Sequence, residues 1–251
     1  MLSARSLFRE VCAHDESYRL FLSLAAKGEQ QGGFENDRIA ELTPDRDLAA
    51  KIARHGADEA KHARIFAGLL KKRGLDPVEV PFDLDYTMRL ERAGIGLSHE
   101  RLAEDRPLSD EEVLAYLVHS RVTEQRGAEE IFLQRKAFPP TTDLGRAIHV
   151  IADDEANHLS YCHEELLAQV RRGHGETLRR MLRTYALAEI RIYRDVGVGV
   201  IRRMGEILGW PRWRIAVLGL GLHALYGIER AFTWRRLTTL RPPERPGALS
   251  G

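Results

Sequence analysis

At 251 residues, with 38 Lys and Arg against 37 Asp and Glu and 43% apolar residues, the chain has the length of one or two domains and an ordinary soluble composition. A net charge of +1 implies no general attraction to nucleic acid or to an anionic membrane. Its two cysteines, Cys12 and Cys162, form no CxxC, which argues against a disulfide scaffold, a zinc knuckle and a rubredoxin-like iron site.

The N-terminal stretch MLSARSLFREVCAHDE has no long apolar core and meets acids by Glu10. It reads as no secretory signal, so a cytoplasmic location is expected. Apolar residues then recur at spacings of three and four through four long segments, predicting helices over about 16–42, 44–73, 110–137 and 142–172. LTPD at 42–45 predicts an N-cap at Thr43 with Pro44 at the first helical position. KKRG closes that second helix with cations and a glycine. VEVPFDLDY at 78–86 is the one strand-like alternation, inside a long Pro- and Gly-containing connection from Leu75 to Ser109. Ser109 with Glu112 three residues on reads as a capping box. PPTTD at 139–143 is a turn, and RRGHG at 171–175 ends the fourth helix. Two further helices are expected over 175–240, and 241–251 reads as a flexible tail. The expected organisation is an all-α bundle of two hairpins over 1–172, joined by a long crossover, with an additional helical pair over 173–240 packed on it.

Within the bundle the chain nearly repeats itself: DEAKH at 58–62 and DEANH at 154–158, 96 residues apart. In an antiparallel hairpin, residues equally far from the turn lie at one height. Glu29 and Glu59 are each about 15 residues, or roughly 22 Å, from the first turn, and Glu124 and Glu155 stand in the same relation to the second. Glu35, Glu129 and Glu130 sit roughly 6–9 Å too near their turns. Glu59 with His62, and Glu155 with His158, are i,i+3 pairs on one helix face. Four inward carboxylates at one level cannot stay unpaired, because burying even one costs several kcal/mol or forces it to protonate. Two divalent cations offset them, and each imidazole caps one. Each hairpin then supplies half of one pseudo-symmetric site, which accounts for the repeat. The competing reading is two solvated amphipathic helix faces.

This pattern resembles the ferritin-like di-iron carboxylate proteins over about residues 10–172, with Glu29, Glu59, His62, Glu124, Glu155 and His158 at the ligand positions. Locally, AAKGEQQGGFEND with DEAKHARIF resembles the first hairpin of aldehyde-deformylating oxygenase. TEQRGAEEIF resembles the third-helix segment of the bacterial tRNA hydroxylase of this fold. The resemblance implies a ferritin-like four-helix bundle holding two iron ions, with iron–manganese also compatible with the ligand set. It implies oxygenase or hydroxylase chemistry, in which O2 is activated to oxidise a small organic substrate. An electron donor such as a ferredoxin or a reductase is then a separate partner. Asp58 and Asp154 resemble the acids that orient ligating imidazoles in bacterial multicomponent monooxygenases, although the arginine those enzymes carry before the His is here Lys61 or Asn157. Gly127 stands where rubrerythrin-type peroxidases carry a further Glu. The alternative function is iron oxidation and handling without an organic substrate.

Glycine inside a helix costs roughly 1 kcal/mol against alanine, so Gly32, Gly33, Gly127 and Ala128 mark either a cavity beside the metals or close helix contact. In the C-terminal part, Ile215 to Ile228 is uncharged but spans only 14 residues, too short for a bilayer. Trp210, Trp213 and Trp234 with flanking arginines fit peripheral contact with the inner face of a membrane, or packing on the bundle or on a second subunit in a homodimer. The arginines at 171–203 read as solvated helix charge rather than an RNA surface. His223, alone in an apolar stretch, reads as a core histidine.

Overall fold

The computed structural model describes residues 3–240. The expected tail at 241–251 lies outside the described residues. All the regular structure of the described residues is helical, with no strand. Its helices are α1 (Ala4–Ala13), α2 (Asp15–Leu42), α3 (Arg46–Lys72), α4 (Tyr86–Arg92), α5 (His99–Leu102), α6 (Asp110–Ala137), α7 (Asp143–Gln169), α8 (Gly175–Ile207) and α9 (Arg212–Ile228).

The helix ends follow from local chemistry. Ser109 accepts from the Glu112 N–H at 3.3 Å and Glu112 accepts from the Ser109 N–H at 2.7 Å, completing the expected capping box of α6. The start of α3 differs from expectation. Its N-cap is Asp45, whose carboxylate accepts from the N–H groups of Asp47 and Leu48. Thr43 instead donates its hydroxyl to the Ile39 carbonyl and closes α2. A carboxylate is the better cap because its charge complements the positive end of the helix dipole. Gly173, at φ +97°, makes the break between α7 and α8, a left-handed geometry that suits glycine.

The strand-like stretch 78–86 forms no strand. It makes a 3-10 turn at Phe82–Leu84 and leads into α4. Pro77 and Pro81 offer no N–H, and the Val78 N–H goes to the Ser23 hydroxyl at 3.0 Å instead of to a ladder. The alternation is real but packs Val80 and Leu84 against an internal cavity.

α2 pairs with α3, α6 pairs with α7, and α3 lies against α7, joining the two hairpins. Two apolar clusters fill the interior. One contains Ile39, Ile52, Val122 and Leu166. The other contains Leu22, Phe66, Ala137 and Ile151. On each of the four long helices the acidic residue singled out by height falls between a residue of one cluster and a residue of the other. The apolar clusters thus form floor and ceiling to a polar layer.

α8 packs along α6 and α4, and α9 packs on α8. α9 buries none of its residues. Trp213 is 63% exposed and Phe232, just beyond α9, 75%, and His223 is exposed rather than in a core. Trp210 is buried against Val11, Leu20 and Met204. The helical run Arg212–Leu237 extends beyond the uncharged stretch to 26 residues, which by length and composition is enough to cross a membrane.

Candidate metal centre

Four helices bring their acids to one place. Glu29 comes from α2, Glu59 and His62 from α3, Glu124 from α6, and Glu155 and His158 from α7. Their ligand atoms form two groups, each within 4.8 Å: Glu29, Glu59, His62 and Glu155 in one, and His55, Glu59, Glu124 and His158 in the other. Glu59 belongs to both. Glu129 and Glu130 stay outside. Glu129 binds Arg236 at 2.9 and 3.1 Å, and Glu130 accepts from the Tyr193 hydroxyl. Glu130 is therefore a packed, hydrogen-bonded acid rather than a solvated one.

The imidazoles are presented in a consistent way. His62 turns Nδ1 towards Glu29 at 3.1 Å and Nε2 towards Asp154 at 2.9 Å. His158 turns Nδ1 towards Glu124 at 3.4 Å and Nε2 towards Asp58 at 3.6 Å. Each aspartate thus stands behind the imidazole of the other hairpin. Lys61 ties the two aspartates together, at 2.8 Å to Asp58 and 2.6 Å to Asp154. Lys61 is thus a single cation shared by both acids.

His55 is the residue that sequence reasoning missed. It lies one turn before Glu59 and is 2% exposed. Its Nε2 is 3.2 Å from Glu59 and 3.3 Å from Glu124. The signal was present, since a histidine four residues before a ligand shares its helix face. It went unread because it has no counterpart in the second repeat, where Ile151 occupies that place.

Burial sets the electrostatics. Burial and the neighbouring Glu59 push the Glu29 carboxyl well above its ordinary range. Burial and the charges of Glu124, Glu59 and Glu29 do the same to Glu155. Burial also works against ionised Glu124, but His55 and His158 outweigh it and hold that carboxyl well below its usual range. Burial disfavours a charged His55, and Glu124 outweighs it in turn. Protons thus serve as the counter-charge in this layer, and a metal ion would displace them.

The residues fit metal ions. Both ring nitrogens of His158 are buried without a hydrogen-bond partner, and Nδ1 faces Glu59 and Glu124 at 3.6 and 3.4 Å, so the ring has an unused donor atom directed at two carboxylates. Carboxylate and imidazole together are the donor set of iron, manganese and zinc sites.

A cavity of about 350 Å³ opens beside the layer, with Glu29, Glu59, Glu124 and Glu155 in its wall. Leu84 and Leu90 from the crossover and Val196 and Val200 from α8 line the far side. Glu35 also faces it, its carboxyl pushed up to about 7 by burial. His119 is pushed down to about 4 by burial, despite Glu124.

The small residues divide between the two readings. Gly32 and Gly127 line this cavity. A Cβ on Gly32 would come within 2.8 Å of the Glu59 carboxylate, whereas one on Gly127 would meet Glu155 at an ordinary 3.5 Å. Gly33 and Ala128 do not line it. Gly33 instead faces the α3 backbone, 3.2 Å from the Ala60 nitrogen, so it is there for close helix contact.

No protein-family model matches the chain, and no curated protein matches its sequence.

Proposed function

We propose that the protein is a ferritin-like di-iron oxygenase or hydroxylase. The observation that carries this reading is the cavity of about 350 Å³ whose wall is made by the same four carboxylates that converge with the imidazoles. The two paired hairpins with a crossover between them support the ferritin-like topology. Bound iron would supply the redox chemistry by which dioxygen is reduced and an organic molecule oxidised.

The chain's own residues have separate tasks. Glu29, Glu59, Glu124 and Glu155 bind and neutralise two divalent cations, with His62 and His158 as one further donor to each. Asp154 accepts from the His62 Nε2–H at 2.9 Å and so turns the other nitrogen of that ring towards the metals, while Asp58 stands 3.6 Å from His158 Nε2. The apolar clusters bound the layer above and below. The cavity takes a small organic substrate beside the carboxylates. Electrons come from a separate donor such as a ferredoxin or a reductase.

The alternative is iron oxidation and storage. It is the weaker reading because iron handling has no need of a cavity faced by Leu84, Leu90, Val196 and Val200. Elemental analysis of the purified protein separates the two. About two metal ions per chain is the expected result, and hundreds per assembly would establish iron storage instead.

A further inference from the structure

The two metal positions of the proposed centre are not equivalent. Glu29, Glu59, His62 and Glu155 surround one with three carboxylates and one imidazole. His55, Glu59, Glu124 and His158 surround the other with two carboxylates and two imidazoles. We propose that His55 is a seventh protein ligand, binding through Nε2, and that it makes the centre asymmetric. This rests on the dimetal reading and deepens it.

The argument is the direction in which protons must point. The Tyr116 hydroxyl donates to Asn36 Oδ1 at 2.9 Å. A hydroxyl has one proton, so Tyr116 receives at its oxygen, and the Tyr161 hydroxyl, 2.8 Å away, is the donor to it. Tyr161 has then spent its proton too. Its oxygen, 2.7 Å from His55 Nδ1, accepts from that nitrogen. The chain of three hydrogen bonds therefore fixes the proton of neutral His55 on Nδ1 and leaves a lone pair on Nε2. That lone pair faces Glu59 Oε1 at 3.2 Å and Glu124 Oε1 at 3.3 Å.

Three acceptors facing one another repel unless something positive lies among them. A proton on Nε2 is one answer, and a metal ion is the other. The neighbouring ring decides which the site is built for. His158, centroid 3.9 Å from His55, has both ring nitrogens buried without a hydrogen-bond partner and turns Nδ1 towards the same carboxylates at 3.6 and 3.4 Å. One proton on His55 leaves His158 still unpartnered, whereas one metal ion accepts a nitrogen from each ring and both carboxylates. The tyrosine–asparagine chain behind His55 then plays the part that Asp154 plays behind His62, orienting a ligating ring. The nitrogen-rich position also favours a later divalent ion such as cobalt over manganese, relative to the carboxylate-rich one.

Cobalt(II) tests this on the full chain, first stripped of metal with a chelator. Each ligating imidazole keeps one exchangeable N–H, and proton NMR of the two-cobalt protein shows it as a strongly shifted signal that vanishes in D2O. Three such signals are expected, from His55, His62 and His158. Two signals would overturn the proposal. His55→Ala is expected to keep one cobalt at unchanged affinity while the other binds at least about 100-fold more weakly, since even residues behind a ligand cost up to that much. Two cobalts at unchanged affinity in that variant would also overturn it. If His55→Ala does not fold, the signal count in the unaltered protein decides alone. Failure of the dimetal reading itself looks different, because the unaltered protein would then bind fewer than two cobalts.

Discussion

Glu124 and Arg126 stand two residues apart on α6 and enter two different buried charge clusters. Arg126 is held by Glu189 at 2.8 and 3.0 Å and by Glu229 at 3.1 Å on each of two nitrogens. Glu229 also accepts from Arg236. Burial works against the Arg126 charge, and the two carboxylates outweigh it and keep the guanidinium fully ionised. Every acid there has a cation supplied by the chain. Around Glu124 the chain supplies no lysine or arginine partner: four carboxylates meet three imidazoles, and Lys61 binds the aspartates outside. The same helix thus carries a completed ion-pair network that ties α8 and the region just after α9 to the bundle, and a carboxylate-rich cluster that could hold metal ions. Buried charge alone does not distinguish the two; the balance of carboxylates against guanidinium or ammonium partners does.

The largest effect that would break this contrast is at Glu124. Glu124→Ala removes one charge and one carboxylate that faces both imidazoles of its position. Elemental analysis is expected to find fewer than two metal ions per chain. Glu130→Ala, which loses only the Tyr193 hydrogen bond, should retain two; the reverse result would mean that the third-helix ligand is wrongly assigned.

Arg126→Met tests the completed network. It leaves Glu189, 0% exposed, with only the Tyr86 hydroxyl and Glu229, 4% exposed, with only Arg236. Removing one partner of a buried pair typically costs about 3–5 kcal/mol, read as a lower midpoint in urea. The metal content of the folded variant should not change, because its partners lie on α8 and beyond α9 rather than in the metal layer.

Glu35 lies between the two cases, a buried carboxyl whose basic neighbour is the His99 ring, 3.9 Å away. Its value of about 7, against an ordinary 4.5, means that the folded protein holds this proton more tightly than the unfolded chain. Its contribution is therefore fully present below pH 4.5 and is lost as the pH rises through about 7. Above that range ionised Glu35 destabilises the fold by about 3 kcal/mol relative to acid conditions. Glu35→Gln should therefore stabilise the protein at pH 8 and change little at pH 4. Equal differences at both pH values, measured by denaturant unfolding, would show that Glu35 titrates normally.

The smallest effects come from the glycines of the cavity wall. Gly127→Ala is expected to stabilise α6 by about 1 kcal/mol with metal affinity unchanged. Gly32→Ala gains the same helix propensity but pushes the Glu59 carboxylate aside, so metal affinity should fall roughly tenfold. Isothermal titration with cobalt on both variants reads the difference, and equal affinities would mean that Glu59 does not depend on the space at Gly32.

The sequence by itself determined the helices and the level of the polar layer. Apolar spacing and turn signals set the ends of the four long helices to within three residues, and counting from two turns placed Glu29, Glu59, Glu124 and Glu155 at one height. Both depend only on the fixed rise of a helix and on antiparallel pairing. Tertiary structure decided what local pattern does not encode. Thr43 lost the cap to Asp45 because the end of α2 had already claimed its hydroxyl. The alternation at 78–86 became cavity wall because it met no partner strand. His55 joined the layer although the repeat gives it no counterpart, since whether a histidine on the right face reaches a site depends on what stands behind it, here Tyr161 and Tyr116 from two other helices. The chain's own cation for Glu189 and Glu229 is likewise invisible in sequence, because the three residues are brought together from positions 126, 189 and 229 only when α8 and α9 fold back on the bundle.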